Sequence, residues 1–218
     1  MKLLRYKDGK LVKPGILDKE NKVRNVSSLV EDWNNVTISA ENLDRIKNAD
    51  LSSMPIVDEG FTFAPCIAGV GKFICIGLNY SDHAAETGQE VPKEPIMFMK
   101  ATSAICGPND DIIIPKNSLK SDWEVELGVI IGKETKYIEE KQSQDHIAGY
   151  CVVNDLSERE FQLEHYGQWV KGKSCDTFGP IGPYLVTKDE VADPQNLKMW
   201  LDVNGERMQD GSTSTMVY

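Results

Sequence analysis

The chain has 218 residues, of which 40% are hydrophobic and 27% charged, a balance that fits a folded globular protein and excludes a disordered one. With 24 basic against 34 acidic residues the formal net charge is -10, a field that repels nucleic acid and anionic membrane surfaces and excludes both as natural partners. It would also repel a small anionic substrate unless a cation sat locally in the site.

The amino-terminal MKLLRYKDGK has no apolar signal core, and no stretch approaches the length of a membrane span. Residues 1–68 read as a small β-rich N-terminal domain: Asp8-Gly9 and the polar run 18–22 mark hairpin turns, and Ser39 is placed to cap a short helix reaching Asn48. Residues 55–65 read as loop. Cys66, Cys75, Cys106, Cys151 and Cys175 are scattered, odd in number and without a CxxC pair, which points to free thiols in a reducing, cytoplasmic compartment. From residue 69 a larger domain is expected, with strands over 73–77, 112–114, 123–131, 147–154 and 184–187 and helical turns over 81–86 and 157–166. That pattern is α+β, mainly β, with no doubly wound parallel sheet. No GxxxxGK[ST] and no helix-opening GxGxxG is present, so nucleotide binding has no support.

Four local features carry candidate chemistry. In Asp122-Trp-Glu-Val-Glu-Leu-Gly-Val-Ile-Ile131, strand alternation puts Val125, Leu127, Val129 and Ile131 on one face and Glu124 with Glu126 on the other. Two carboxylates so close repel each other unless a proton or a hard divalent cation intervenes, although an exposed acidic strand face has the same spelling. Asp155 ends the apolar run before Ser157-Glu-Arg-Glu-Phe-Gln162, where it serves equally well as a third oxygen ligand or as a helix cap. His83 and Glu86 stand one helical turn apart in Gly77-Leu-Asn-Tyr-Ser-Asp-His-Ala-Ala-Glu86, the spacing of a carboxylate-oriented general base and also of an ordinary surface pair. Lys171 and Lys173 flank Gly172 in a basic segment of an acidic chain, suited to a substrate carboxylate or developing oxyanion and equally to a solvated loop. His146 and His165 lack such partners, and three histidines without suitable spacing argue against an iron oxygenase.

Taken together and in order, GLNYSDHAAE, PIMFMK, DWEVELGVIIGK, AGYCVVNDLSEREFQ, KGKSCDTFGPIGP and the strand–turn text 201–212 resemble the fumarylacetoacetate hydrolase family over residues 70–218. With MKLLRY and IAGVGKFICIGLNY, the resemblance leans toward the bacterial branch of 2,4-diketo-3-deoxy-sugar-acid hydrolases acting on L-fuconate- or L-rhamnonate-derived acids. It implies a mixed β-roll with a small N-terminal domain, a homodimer, and hydrolysis of a carbon–carbon bond in a small anionic β-diketo acid. It further implies Mg²⁺ or Mn²⁺, with Ca²⁺ as an alternative, on Glu124, Glu126 and Asp155. His83 and Glu86 become the water-activating dyad, Lys173 in preference to Lys171 the catalytic lysine, and Gln162, Thr177 and Tyr166 the substrate side. Decarboxylation, isomerisation, hydration or lyase chemistry on a related oxo-acid use the same metal scaffold. In the family a Gly-Thr-Pro-bearing segment follows the position of Tyr218 and closes the site. The 218 residues are therefore expected to lack part of the pocket, which leaves a truncated, non-catalytic metal-binding member as a further alternative.

Overall fold

The computed structural model of the chain describes residues 1–218. β1 (Lys2–Asp8) and β2 (Leu11–Leu17) form an antiparallel hairpin with Asp8 opposite Leu11, and Gly9 takes the left-handed φ of +60° that a two-residue connection requires. β3 (Val23–Asn25) joins β2 across the polar turn, where the Asp18 carboxylate accepts the amides of Glu20 and Lys22. Ser39 accepts the Asn42 amide and so caps α1 (Ala40–Lys47), which buries Leu43 and Ile46. The segment expected as loop over 55–65 contains β4 (Thr62–Ala64), which pairs with β1; Phe63 stacks edge-on against Phe61 and Tyr184, so apolar packing orders this stretch despite its prolines.

β5 (Phe73–Gly77) and β6 (Ile96–Lys100) make a two-stranded ribbon with α2 (Ser81–Glu86) between them. β7 (Ile105–Cys106) runs parallel to β12 (Gly179–Pro180), and β8 (Ser121–Asp122) pairs with β11 (Ser157–Glu158). The strand expected over 112–114 is absent from every ladder. Its Ile113 amide is bonded instead to the Thr177 hydroxyl, and Ile113 and Ile114 stay exposed. The expected helix over 157–166 is likewise replaced, first by β11 and then by a π-helical turn over Glu160–Glu164. Here Ser157 and Glu158 pair with β8, and the Arg159 amide is taken by the Lys120 carbonyl, so the backbone is committed to a sheet before a helix can start.

β9 (Val125–Ile131) and β10 (Ile147–Asn154) form a long antiparallel pair, α3 (Trp169–Lys173) packs against the π-helical turn, and β14 (Lys198–Val203) pairs with β15 (Glu206–Ser212). β13 (Leu185–Thr187) inserts between β1 and β10, giving a seven-stranded sheet in the order β3-β2-β1-β13-β10-β9 with β4 added on β1. One hydrophobic core serves both parts of the chain: Leu3, Ile16, Trp33 and Ile46 pack with Cys151, Val153, Ile181 and Leu185. Sheet and core both run across residue 68, so that position is not a break in packing. The architecture is α+β, mainly β, and no helix is long and apolar enough to cross a membrane.

The crossing from β10 to β13 needs a glycine. A Cβ at Gly149 would stand 2.1 Å from the Val186 carbonyl oxygen, a backbone atom that can move only by parting the strands. Gly149→Ala is expected to destabilise the fold by about 1–3 kcal/mol or more, read as a lower urea midpoint at unchanged slope; an unchanged midpoint would show that the β10–β13 junction is not tight.

Candidate functional site

The site forms where the β9–β10 ladder ends. Glu126 lies opposite Val153 and Val125 opposite Asn154, and one step further the Asp155 amide bonds to the Glu124 carbonyl at 2.8 Å. Opposed residues in an antiparallel pair project to the same face, so Glu126 shares its face with the core residue Val153. Val129 and Ile131, on the other face, are exposed. The alternation read from the sequence is present, with its acidic side turned inward. Gly128 makes this possible, because a Cβ there would come within 2.7 Å of both Cys151 Sγ and Val153 Cγ2.

Around these carboxylates stand three cations. Glu124 accepts Arg159 Nη2 at 2.6 Å on one oxygen and Lys173 Nζ at 2.5 Å on the other. Asp155 accepts Lys100 Nζ at 2.6 Å and Lys173 Nζ at 3.0 Å, so its carboxylate caps no helix. Lys100, Lys173 and Asp155 are only 1%, 2% and 5% exposed, a depth at which charges persist only when paired. Arg159 extends the network to the Asp122 carboxylate at 2.7 Å and to Gln162 Oε1 at 3.0 Å. Glu126 differs from its neighbours: its one hydrogen bond is donated by the Tyr80 hydroxyl at 3.3 Å, and no cation is bonded to it.

Local sequence explains the approach of Lys173. At Gly172 a Cβ would meet the Glu158 carbonyl at 2.4 Å and the Gln162 amide nitrogen at 2.6 Å, so only glycine lets α3 close onto the π-helical turn. Gly77 leaves room for the Trp169 ring, which would lie 2.8 Å from a Cβ. Trp169 in turn meets Phe98 edge-on at 5.3 Å, and Lys173 Nζ sits 5.2 Å above the Phe98 ring.

Burial, then the nearby charges of Glu124 and Asp155, push the Glu126 carboxyl up to about 8. Burial and the adjacent Glu126 push the Tyr80 phenol upward, which keeps it a hydrogen-bond donor. Burial holds the Lys100 ammonium below its usual value against the opposing pull of Asp155, and burial followed by Asp155 raises the Cys75 thiol to about 12.

The structure gathers Glu124, Glu126, Asp155 and Lys173, with Gln162, buried, reached through Arg159. His83 and Glu86 lie one turn apart on α2 as expected, but both are exposed and no hydrogen bond joins their side chains. Thr177 takes a left-handed φ of +66° and spends its hydroxyl on the Ile113 amide, and Tyr166 is 98% exposed. Sequence reasoning missed Lys100, Arg159 and Tyr80. Lys100 had a signal, an inward register position at the end of the apolar strand Ile-Met-Phe-Met, where a lysine must find a buried carboxylate.

Three carboxyl groups form the all-oxygen donor set that a hard divalent cation prefers, and Glu126 is the one that the three cations leave unpaired. No three ligating side chains converge on a single point here, since Lys173 Nζ bridges Glu124 and Asp155. The donor chemistry fits a divalent metal; the closed ligand geometry is not formed.

A family model described as fumarylacetoacetate (FAA) hydrolase C-terminal matches residues 72–218. A relative from Burkholderia lata that carries no more specific name than hydrolase is 56% identical over 218 residues, all of this chain and 77% of that protein. Among solved structures, maleylpyruvate hydrolase from Sphingobium sp. SYK-6, in complex with manganese(II) and pyruvate, aligns with a TM-score of 0.82 at 25% identity, covering 100% of this chain and 78% of that one. 2-Hydroxyhepta-2,4-diene-1,7-dioate isomerase from Mycobacterium marinum aligns at 0.72 and 28% identity, covering 100% and 77%.

The raised Glu126 carboxyl gives a signed pH dependence. Between the unfolded value near 4.5 and the folded value of about 8, the folded metal-free protein holds the extra proton, so its stability falls as pH rises through that window. Glu126→Gln is expected to flatten this decline and raise the metal-free melting temperature at pH 8 above that of the unsubstituted chain; thermal unfolding in EDTA from pH 5 to pH 8 checks it, and parallel curves for both proteins would refute it.

Proposed function

The chain belongs to the fumarylacetoacetate hydrolase family, and on that premise we propose that it hydrolyses a carbon–carbon bond in a small β-diketo acid, of the acylpyruvate or diketo-deoxy-sugar-acid type, using Mg²⁺ or Mn²⁺ held by Glu124, Glu126 and Asp155. The observation that carries this reading is Glu126, a carboxylate set beside two others with no cation bonded to it. When bound, the metal supplies Lewis acidity and the positive charge that a chain of net charge -10 lacks for an anionic oxo-acid.

The chain's own residues do the rest. Lys173 donates to the oxygen on which negative charge develops, in a water-poor pocket where such a contact is strongest. Gln162, buried and held through its carbonyl oxygen by Arg159, keeps its amide N–H groups for the substrate. His83, with Glu86 one turn away on the same helix, takes the proton from the attacking water. The exposed state of that pair favours one rival reading, isomerisation or decarboxylation of a related oxo-acid, which needs no activated water.

Acetylpyruvate, maleylpyruvate and a 2,4-diketo-3-deoxy sugar acid, each incubated with protein and Mn²⁺, separate these readings. Stoichiometric pyruvate from a substrate supports hydrolysis, a spectral shift without cleavage supports isomerisation, and CO₂ release supports decarboxylation. Glu126→Gln is expected to abolish metal-dependent turnover, and full activity in that variant would sink the metal assignment. His83→Ala is expected to retain metal affinity while hydrolysis falls by about 10²–10⁴-fold; lost metal affinity with preserved turnover would reverse the assigned roles.

A further inference from the structure

We propose that the Lys173 ammonium competes with the metal for the same carboxylates: its Nζ lies between Glu124 and Asp155, and a divalent cation held by those two groups must displace it. The inference rests on the metal reading above and adds a competition at the same carboxylates. Three observations support it. First, of the three cations at the site, only Lys173 is bonded to two of the proposed ligands, at 2.5 Å from Glu124 and 3.0 Å from Asp155. Arg159 is bonded to Glu124 and to Asp122, and Lys100 to Asp155 and the Leu156 carbonyl, so each holds its carboxylate from one side. Second, Lys173 is 2% exposed, so no water shell competes for its ammonium. Third, the ammonium has a favourable contact besides the two carboxylates, since its Nζ lies 5.2 Å from the centre of the Phe98 ring, whose face attracts a cation.

Two positive charges cannot share the space between the same two carboxylates without strong repulsion. A divalent cation held by Glu124 and Asp155 would therefore oblige Lys173 to give up its contacts with those carboxylates and turn its N–H donors to a substrate oxygen. The same step that fills the site frees the lysine for the substrate oxyanion, so substrate stabilisation is withheld until the metal is in place.

The test is Mn²⁺ binding by calorimetry to the full chain and to Lys173→Met, with Lys171→Met as an exposed control. Lys173→Met is expected to bind Mn²⁺ at least about tenfold more tightly than the unsubstituted chain, and to melt lower in EDTA with a larger gain on adding Mn²⁺. Affinity that stays equal or weakens overturns the proposal, because a lysine that assists or ignores the metal gives that result. If Lys173→Met folds only with Mn²⁺ present, the metal is replacing the ammonium, which supports it. Failure to fold even with Mn²⁺ overturns it, since a cation able to take the ammonium's place would rescue the fold. An unsubstituted chain that binds no Mn²⁺ sinks the metal reading itself, a result distinct from an unsubstituted chain that binds normally and a variant that binds no better.

Discussion

Charge buried at the end of the β9–β10 ladder sets the terms for the rest of the structure. Asp155, Lys100 and Lys173 have almost no contact with solvent, and each is stable there only because an opposite charge stands within 3.0 Å. Such a network tolerates little displacement, because a charge moved off its partner keeps its desolvation cost and loses its compensation. The surrounding glycines answer that demand. Gly128 lets the acidic face of β9 lie against the core, Gly172 lets α3 close on the π-helical turn, and Gly77 admits the Trp169 ring that backs Phe98 and Lys173.

The larger fold serves the same end by anchoring β10. That strand carries Asp155 at its tip and pairs on one edge with β9, which carries Glu126, and on the other with β13. β13 in turn pairs with β1, so the amino-terminal hairpin is tied by hydrogen bonds to the strand that presents the site. The shared core of Leu3, Ile16, Trp33, Val153 and Leu185 fixes the register of that sheet. A one-residue slip would turn Glu126 outward and Val125 inward.

Much of this was legible in the residues because it follows local rules. The Asp8-Gly9 hairpin, the Ser39 cap, the shared face of Glu124 and Glu126, and Asp155 at a strand end depend on periodicity and turn chemistry within a dozen residues. The missed parts depend on partners distant in sequence. Whether Ser157–Tyr166 becomes helix or strand is decided by β8, 35 residues earlier in register, through Ser157 opposite Asp122. Lys100 and Arg159 read as ordinary charges until the fold brings Asp155 and Glu124 beside them. Thr177, read from the resemblance as a substrate-side group, accepts the Ile113 amide on its hydroxyl, a contact across 64 positions that no local pattern announces.

The arrangement of charge also bears on the chemistry of the ligand. Arg159, Lys173 and Lys100 balance Asp122, Glu124 and Asp155 through direct ion pairs, and Glu126 alone has no such partner. With Glu126 ionised a single positive charge would neutralise the cluster, so a divalent ion leaves one charge in excess. In a largely desolvated pocket that excess is itself unfavourable until an anion matches it. On the proposed reading, the carboxylate of a 2-oxo acid supplies the missing negative charge, and the reacting carbonyl then lies beside a lysine released from its own carboxylates. On the same proposed reading a neutral ketone would leave the excess uncovered, and an acid would be bound in preference to a ketone of the same shape.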